Sequence, residues 1–132
     1  MLHPNQFQVN EAWIAFQLND LPIPIESDGD FNCLTLMDAA SCFILGSAYV
    51  PASEAEPSQL DARQLLKTGQ AHKNELPKRL FIPTEQPADN LVVEAERQNI
   101  AVVRVPEEQL AIFIVETREL FKESLLETEH DS

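Results

Sequence analysis

Between residues 76 and 109 the chain reads LPKRLFIPTEQPADNLVVEAERQNIAVVRVPEEQ, and this stretch constrains the fold more than any other. Residues 79–82 form a run too short for a helix, stopped by Pro83, whose missing N–H and fixed φ end a strand ladder. The period then changes. Ala88, Leu91, Val92 and Ala95 recur at i, i+3, i+4 and i+7 as one apolar stripe, while Asp89, Asn90, Glu94, Glu96 and Arg97 fill the other faces. Pro87 suits a first helical turn, Asp89 lies near the positive end of the dipole and Asn99 suits a C-terminal position, so a helix is expected over 87–98. Residues 100–105, IAVVRV, are β-branched and almost continuously apolar, the pattern of a strand covered on both faces. Strand, helix, strand is a βαβ unit. Its right-handed crossover puts the helix on one face of a sheet, and other helices must cover the second face.

The remaining segments follow in order. Residues 12–18, AWIAFQL, read as a buried strand, and LPIPI at 21–25 reads as an extended edge or connection because two prolines remove two donors. After a turn at 26–30, the runs 31–38 and 43–50 are strand-like and separated by a few small residues, which predicts a hairpin. Gly46 within the second run suggests a bulge or a close neighbour. Ser58 with Asp61 three residues on is a variant capping box, and Ala62, Leu65, Leu66 and Gly69 carry helical spacing, giving a helix over 59–71. After Pro106, the acids Glu107 and Glu108 suit a helix start. The pattern of Leu110, Phe113, Ile114, Thr117, Leu120, Phe121 and Leu125 extends to about 126, which favours one long helix over a strand at 110–115. Leu91, Val92, Val102, Phe113 and Leu120 are expected in the core.

At 132 residues, 44% of them hydrophobic, a single domain spanning 1–132 is expected, with an ordered core over about 12–126 and a polar tail at 127–132. The 22 Asp and Glu against 9 Lys and Arg give a net charge of −13. Such a chain repels phosphate backbones, and its few bases form no stripe, which argues against nucleic acid as a partner. Cys33 and Cys42 flank the expected hairpin turn; a disulfide requires a register that sets them opposite, and buried thiols in a reducing compartment are the better reading. Residues 1–4, MLHP, begin no signal-peptide pattern, and the longest apolar run, 110–115, is far short of a membrane span. The expectation is a cytoplasmic protein without membrane contact.

Little in the sequence points to chemistry. His3, His72 and His130 are scattered without partners at metal-ligand spacing and read as exposed imidazoles. The three glycines, Gly29, Gly46 and Gly69, lie too far apart for a phosphate loop, and Ser47 lacks the second glycine of a nucleophile elbow. Carboxylates remain. Asp38 at a strand end, Glu85 after the fourth strand and Glu116 in the last helix would form a Mg²⁺ site only if the topology brought those ends together; the plainer reading is surface charge.

Strand, strand, strand, helix, strand, helix, strand, helix is an order that resembles the ribonuclease H-like fold, more narrowly the catalytic core of retroviral-type integrases and transposases. LTLMDAASCFILGSAYV resembles the second and third strands of that core, KRLFIPTEQPADNLVVEAERQNIAVVRV its fourth strand, acidic turn, helix and fifth strand, and IFIVETRELFKESLL its last helix with a glutamate. The resemblance implies an α/β domain with a five-stranded mixed sheet, three antiparallel strands followed by two βα units, and helices on both faces. It also implies three acids holding two metal ions. Here Trp13, Ile14, Ala15 and Phe16 stand where the first acid belongs, the second falls at Thr84 beside Glu85, and Glu116 alone keeps its place. The expectation is a non-catalytic domain without cofactor that binds another protein or itself. The alternative is a metal-dependent phosphodiester hydrolase using Mg²⁺ and the displaced acids Asp20, Glu85 and Glu116, and a third reading is an acidic mimic of nucleic acid.

Overall fold

The computed structural model describes residues 1–20, 22–25 and 29–130, the side chains of Ile25 and of residues 125–130 excepted. Four strands in succession, β1 (Ala12–Gln17), β2 (Ile23–Ile25), β3 (Gly29–Asp38) and β4 (Ile44–Pro51), are followed by α1 (Gln59–Lys73), β5 (Arg79–Pro83), α2 (Asp89–Arg97), β6 (Ala101–Val105) and α3 (Ala111–His130). A 3-10 turn, Glu107–Leu110, leads into α3. The strands lie in the order β4, β3, β1, β5, β6, and β2 runs beside β3 beyond the end of β1. β1 is antiparallel to β3 and parallel to β5, and β5 is parallel to β6. The five expected strands are all present. The Pro-bounded segment adds a sixth, short enough that Pro24 costs little on a sheet margin.

β1 is buried from Ala12 through Phe16, and its alternation divides the core in two. Trp13 and Ala15 join Leu34, Leu36, Leu80 and Ile82 under α1 and α2; Ala12, Ile14 and Phe16 join Met37 and Phe81 under Phe113 and Ile114 of α3. Gly69 lets α1 settle on the first face, since a Cβ there would stand 2.8 Å from Cζ3 of Trp13. The register of β3 and β4 shifts at Leu36/Met37, opposite Leu45 and Gly46, so the expected bulge is there; a Cβ on Gly46 would also meet Thr68 of α1 at 3.0 Å.

Local signals placed most helix ends correctly. Oγ of Ser58 accepts the Asp61 N–H at 3.1 Å, and Asn74 (φ 61°) and Asn99 (φ 63°) are left-handed residues closing α1 and α2. α2 begins at Asp89, not Pro87, and Glu56, from the connection between β4 and α1, accepts the N–H of Asn90. α3 continues to His130, so residues 127–130 of the expected polar tail are helical backbone; their side chains, and residues 131–132, lie outside the described residues, as do 26–28 of the expected turn.

Four expectations need correction. β6 is an edge strand whose two faces are only partly covered: Val102 packs half-buried against one core layer and Val103 and Val105 against the other, while Ala101 and Arg104 are exposed, because no strand follows it in the sheet. Val92 and Val102 pack against the core from a half-buried position, whereas Leu91 and Phe113 are fully buried as expected. Leu120 is 60% exposed, since the buried row of α3 is Phe113, Ile114 and, partly, Phe121, continuing from Leu110 in the turn before it. Glu94, read as a solvent-facing acid, is buried between α1 and α2. It accepts Nε2 of Gln59 at 2.9 Å and Nε and a terminal nitrogen of Arg63 at 3.3 Å, and Arg97 stands 3.5 Å away. The Arg63 hydrogen bond, then that of Gln59, holds the Glu94 carboxyl below its ordinary range.

Truncating Leu91 to Ala should destabilise the fold by about 2–5 kcal/mol, whereas Leu120→Ala should stay within about 0.5 kcal/mol of wild type. Urea unfolding of the two variants would check this, and equal midpoint shifts would contradict the assignment of the α3 faces.

Candidate functional site

In open α/β sheets, ligands gather outside the carboxyl ends of parallel strands, where loops diverge and no side chain from the next strand fills the space. Here that end belongs to β1, β5 and β6. The backbone N–H of Gln17 donates to Oε1 of Gln86 at 3.1 Å, and Arg104 of β6 donates to the carbonyls of Pro83 and Gln86 at 3.2 and 2.8 Å. Glu85, one residue beyond the Thr84 N–H that continues the ladder to Val105, accepts the N–H of Glu107 at 3.2 Å. Its carboxyl is lowered first by its own backbone N–H and further by that of Glu107.

Two cations from α3 complete the arrangement. Arg118 donates from Nε and a terminal nitrogen to the carbonyl oxygen of Gln17, at 3.0 and 2.8 Å, and the same terminal nitrogen meets Oε1 of Glu107 at 2.9 Å. One turn on, Nζ of Lys122 lies 2.6 Å from Oδ2 of Asp20. That hydrogen bond lowers the Asp20 carboxyl and raises the Lys122 amine. Asp20 and Glu85 therefore share the carboxyl end of the sheet, each engaged by its own donor, with a guanidinium and an ammonium beside them.

The other expected acids are elsewhere. Asp38 pairs in register with Trp13, near the start of β1, and so lies at the opposite end of the sheet from Glu85. It is fully buried and accepts the N–H of Asn10 at 3.1 Å and the N–H and hydroxyl of Ser41 at 3.1 and 2.6 Å, which shapes the hairpin turn. Glu116 is exposed on α3, and its charge acts on Cys42 next to Asp38; burial chiefly, then the Asp38 and Glu116 carboxylates, push the Cys42 thiol up. Cys33 pairs with Tyr49, not with Cys42, and both thiols are free. Asp20, Glu85 and Glu116 thus do not converge, and among the described residues no three His, Cys, Asp or Glu side chains are placed to hold a metal ion. The residues present do not fit a two-metal site. Positions 13–16 of β1 offer only apolar side chains, all buried in the two core layers.

No protein-family model and no curated protein matches the sequence. Solved structures do match the fold. A chain of the simian T-cell lymphotropic virus intasome, in complex with PP2A regulatory subunit B56 gamma, aligns with 93% of this chain at 11% identity and a TM-score of 0.66. The catalytic core domain of BIV integrase aligns with 93% of it at 10% identity and a TM-score of 0.60. The chain has an integrase-like ribonuclease H fold. It spans 42% of the intasome chain and 74% of the BIV core, and at these identities the likeness concerns the fold alone.

Within this integrase-like domain, Arg118, Gln86 and Arg104 are residues that sequence reasoning passed over, and in the sequence Glu107 reads only as an acid at a helix start. A signal for Arg118 did exist: it follows Ile114 by four and precedes Phe121 by three, placing a charge on the buried row of α3, where it needs a partner.

Replacing Arg118 by Ala leaves the Gln17 carbonyl without its donors and should cost about 1–3 kcal/mol; Arg118→Lys should recover only part, because an ammonium lacks the planar fork. Denaturant midpoints would check both. The Asp20 carboxyl, depressed in the folded state, stabilises it above the ordinary aspartate range and loses that contribution as the pH falls through the folded pKa. In an NMR titration Asp20 should move back toward its ordinary value in Lys122→Ala, and an unchanged titration would contradict the assigned cause.

Proposed function

We propose that this integrase-like domain is non-catalytic and works by binding protein, in a cytoplasm that keeps its two thiols reduced. The observation that carries the reading is Arg118 on the Gln17 carbonyl. A guanidinium bonded at the carboxyl end of the central strand places positive charge where a pair of metal ions would have to approach, and the strand itself brings apolar side chains where carboxylates would be needed. The charge of −13 supports the same reading, since it opposes approach of a polyanionic substrate. With Asp20 committed to Lys122 and Glu85 to the Glu107 N–H, the carboxylates at this end serve the fold.

Calorimetric titration with Mg²⁺ and Mn²⁺ should give no tight binding, and incubation with single- and double-stranded DNA and RNA should give no cleavage. Metal-dependent cleavage that disappears in Glu116→Gln would overturn the proposal in favour of a phosphodiester hydrolase.

A further inference from the structure

Strand β4 forms one margin of the sheet. Among the described residues it pairs with β3 alone, so every second residue turns its N–H and C=O outward without a strand to meet them. Proteins guard such margins with charges, prolines, or short or bent strands. The opposite margin is guarded: β6 has five residues and an exposed Arg104. β4 has eight residues, ILGSAYVP, with no charge, its only proline at the last position and its bulge near the start. α1 covers Leu45 and Ala48 on one face, where Val50 is also buried. On the other, Ile44, Ser47 and Tyr49 are exposed, Tyr49 by 63%, and Phe43 just ahead of the strand is 52% exposed.

Bases line one end of this margin and acids the other. α1 runs back along β4, so its last turns lie at the Ile44 end and its first turn at the Pro51 end, as the approach of Gly46 to Thr68 and Leu65 requires. At the Ile44 end a hollow of about 450 Å³ is lined by Lys67, Thr68 and His72, with Lys73 over the Phe43 ring. At the Pro51 end a hollow of about 410 Å³ is lined by Glu54, Glu56 and Asp61.

We propose that the occupant of this margin is the β4 strand of a second copy, paired antiparallel about a twofold axis so that two sheets become one. The proposal rests on the protein-binding reading and names the partner. Elsewhere two copies of a chain with net charge −13 repel each other; along β4 there is no charge to repel. An antiparallel pair sets the Lys67 end of each copy against the Glu54, Glu56 and Asp61 end of the other, whereas a parallel pair would set acids against acids. The contact is isologous and closes at two, and the guarded β6 margin prevents further growth of the sheet.

Sedimentation of the full chain over a concentration series should give twice the mass of one chain, and hydrogen exchange should show amides of β4 becoming protected as concentration rises. Tyr49→Lys with Ile44→Lys should abolish both effects while circular dichroism and the unfolding midpoint stay near wild type. Lys67→Glu should weaken the dimer at low salt, and adding Glu54→Lys should restore it. A single-chain mass at every concentration would overturn the proposal, as would a dimer whose β4 amides stay unprotected. The protein-binding reading answers to a different experiment: monomers without nuclease activity would remove only the β4 pairing, whereas dimers with metal-dependent cleavage would remove only the non-catalytic assignment.

Discussion

The double burial of β1 is the constraint on which the remaining structure depends. Five consecutive residues, Ala12–Phe16 in effect the whole strand, have no contact with solvent, and their alternation assigns Trp13 and Ala15 to one core layer and Ala12, Ile14 and Phe16 to the other. Strands β3 and β5 must flank it and helices must cover both sides. Trp13 illustrates which effect wins. Its indole N–H finds no acceptor among the described residues, at a cost of about 1–3 kcal/mol, while burying the ring contributes roughly 4–6 kcal/mol. Packing against Gly69 therefore outweighs the orphaned donor.

Charge is distributed around this apolar centre in a way that separates the two ends of the sheet. At the carboxyl end, Arg118 and Lys122 bond Gln17, Glu107 and Asp20, so a long acidic helix is anchored by its bases. At the other end, Asp38 is buried with backbone and hydroxyl donors around it and Lys73 at 3.9 Å. Between the two helices on the first face, Glu94 gathers Gln59, Arg63 and Arg97. Each of these carboxylates is held in place by donors, which is how a chain so rich in acids stays compact.

What was legible in the sequence was whatever short-range chemistry decides. The stripe of Ala88, Leu91 and Ala95 became a buried helix face, Ser58 capped α1, and Pro83 ended β5. The failures share a cause. IAVVRV has the composition of a central strand, but its exposure follows from being last in the sheet order. Leu120 has the right residue type at a near-miss angle, and Glu94 has the wrong type at a buried one, because Arg63 and Gln59 come from a helix some 30 residues earlier.

The same division holds for the candidate site. From its residues alone the chain determined an α/β domain with an apolar central strand and no acid at its middle, since hydrophobic period and residue identity are properties of neighbours in sequence. Only the tertiary structure decided that Asp38 and Glu85 lie at opposite ends of the sheet, that Arg118 reaches the Gln17 carbonyl across 101 positions, and that β4 is left with an open margin. These depend on strand order and register, which are set by the burial of whole layers and not by any local pattern.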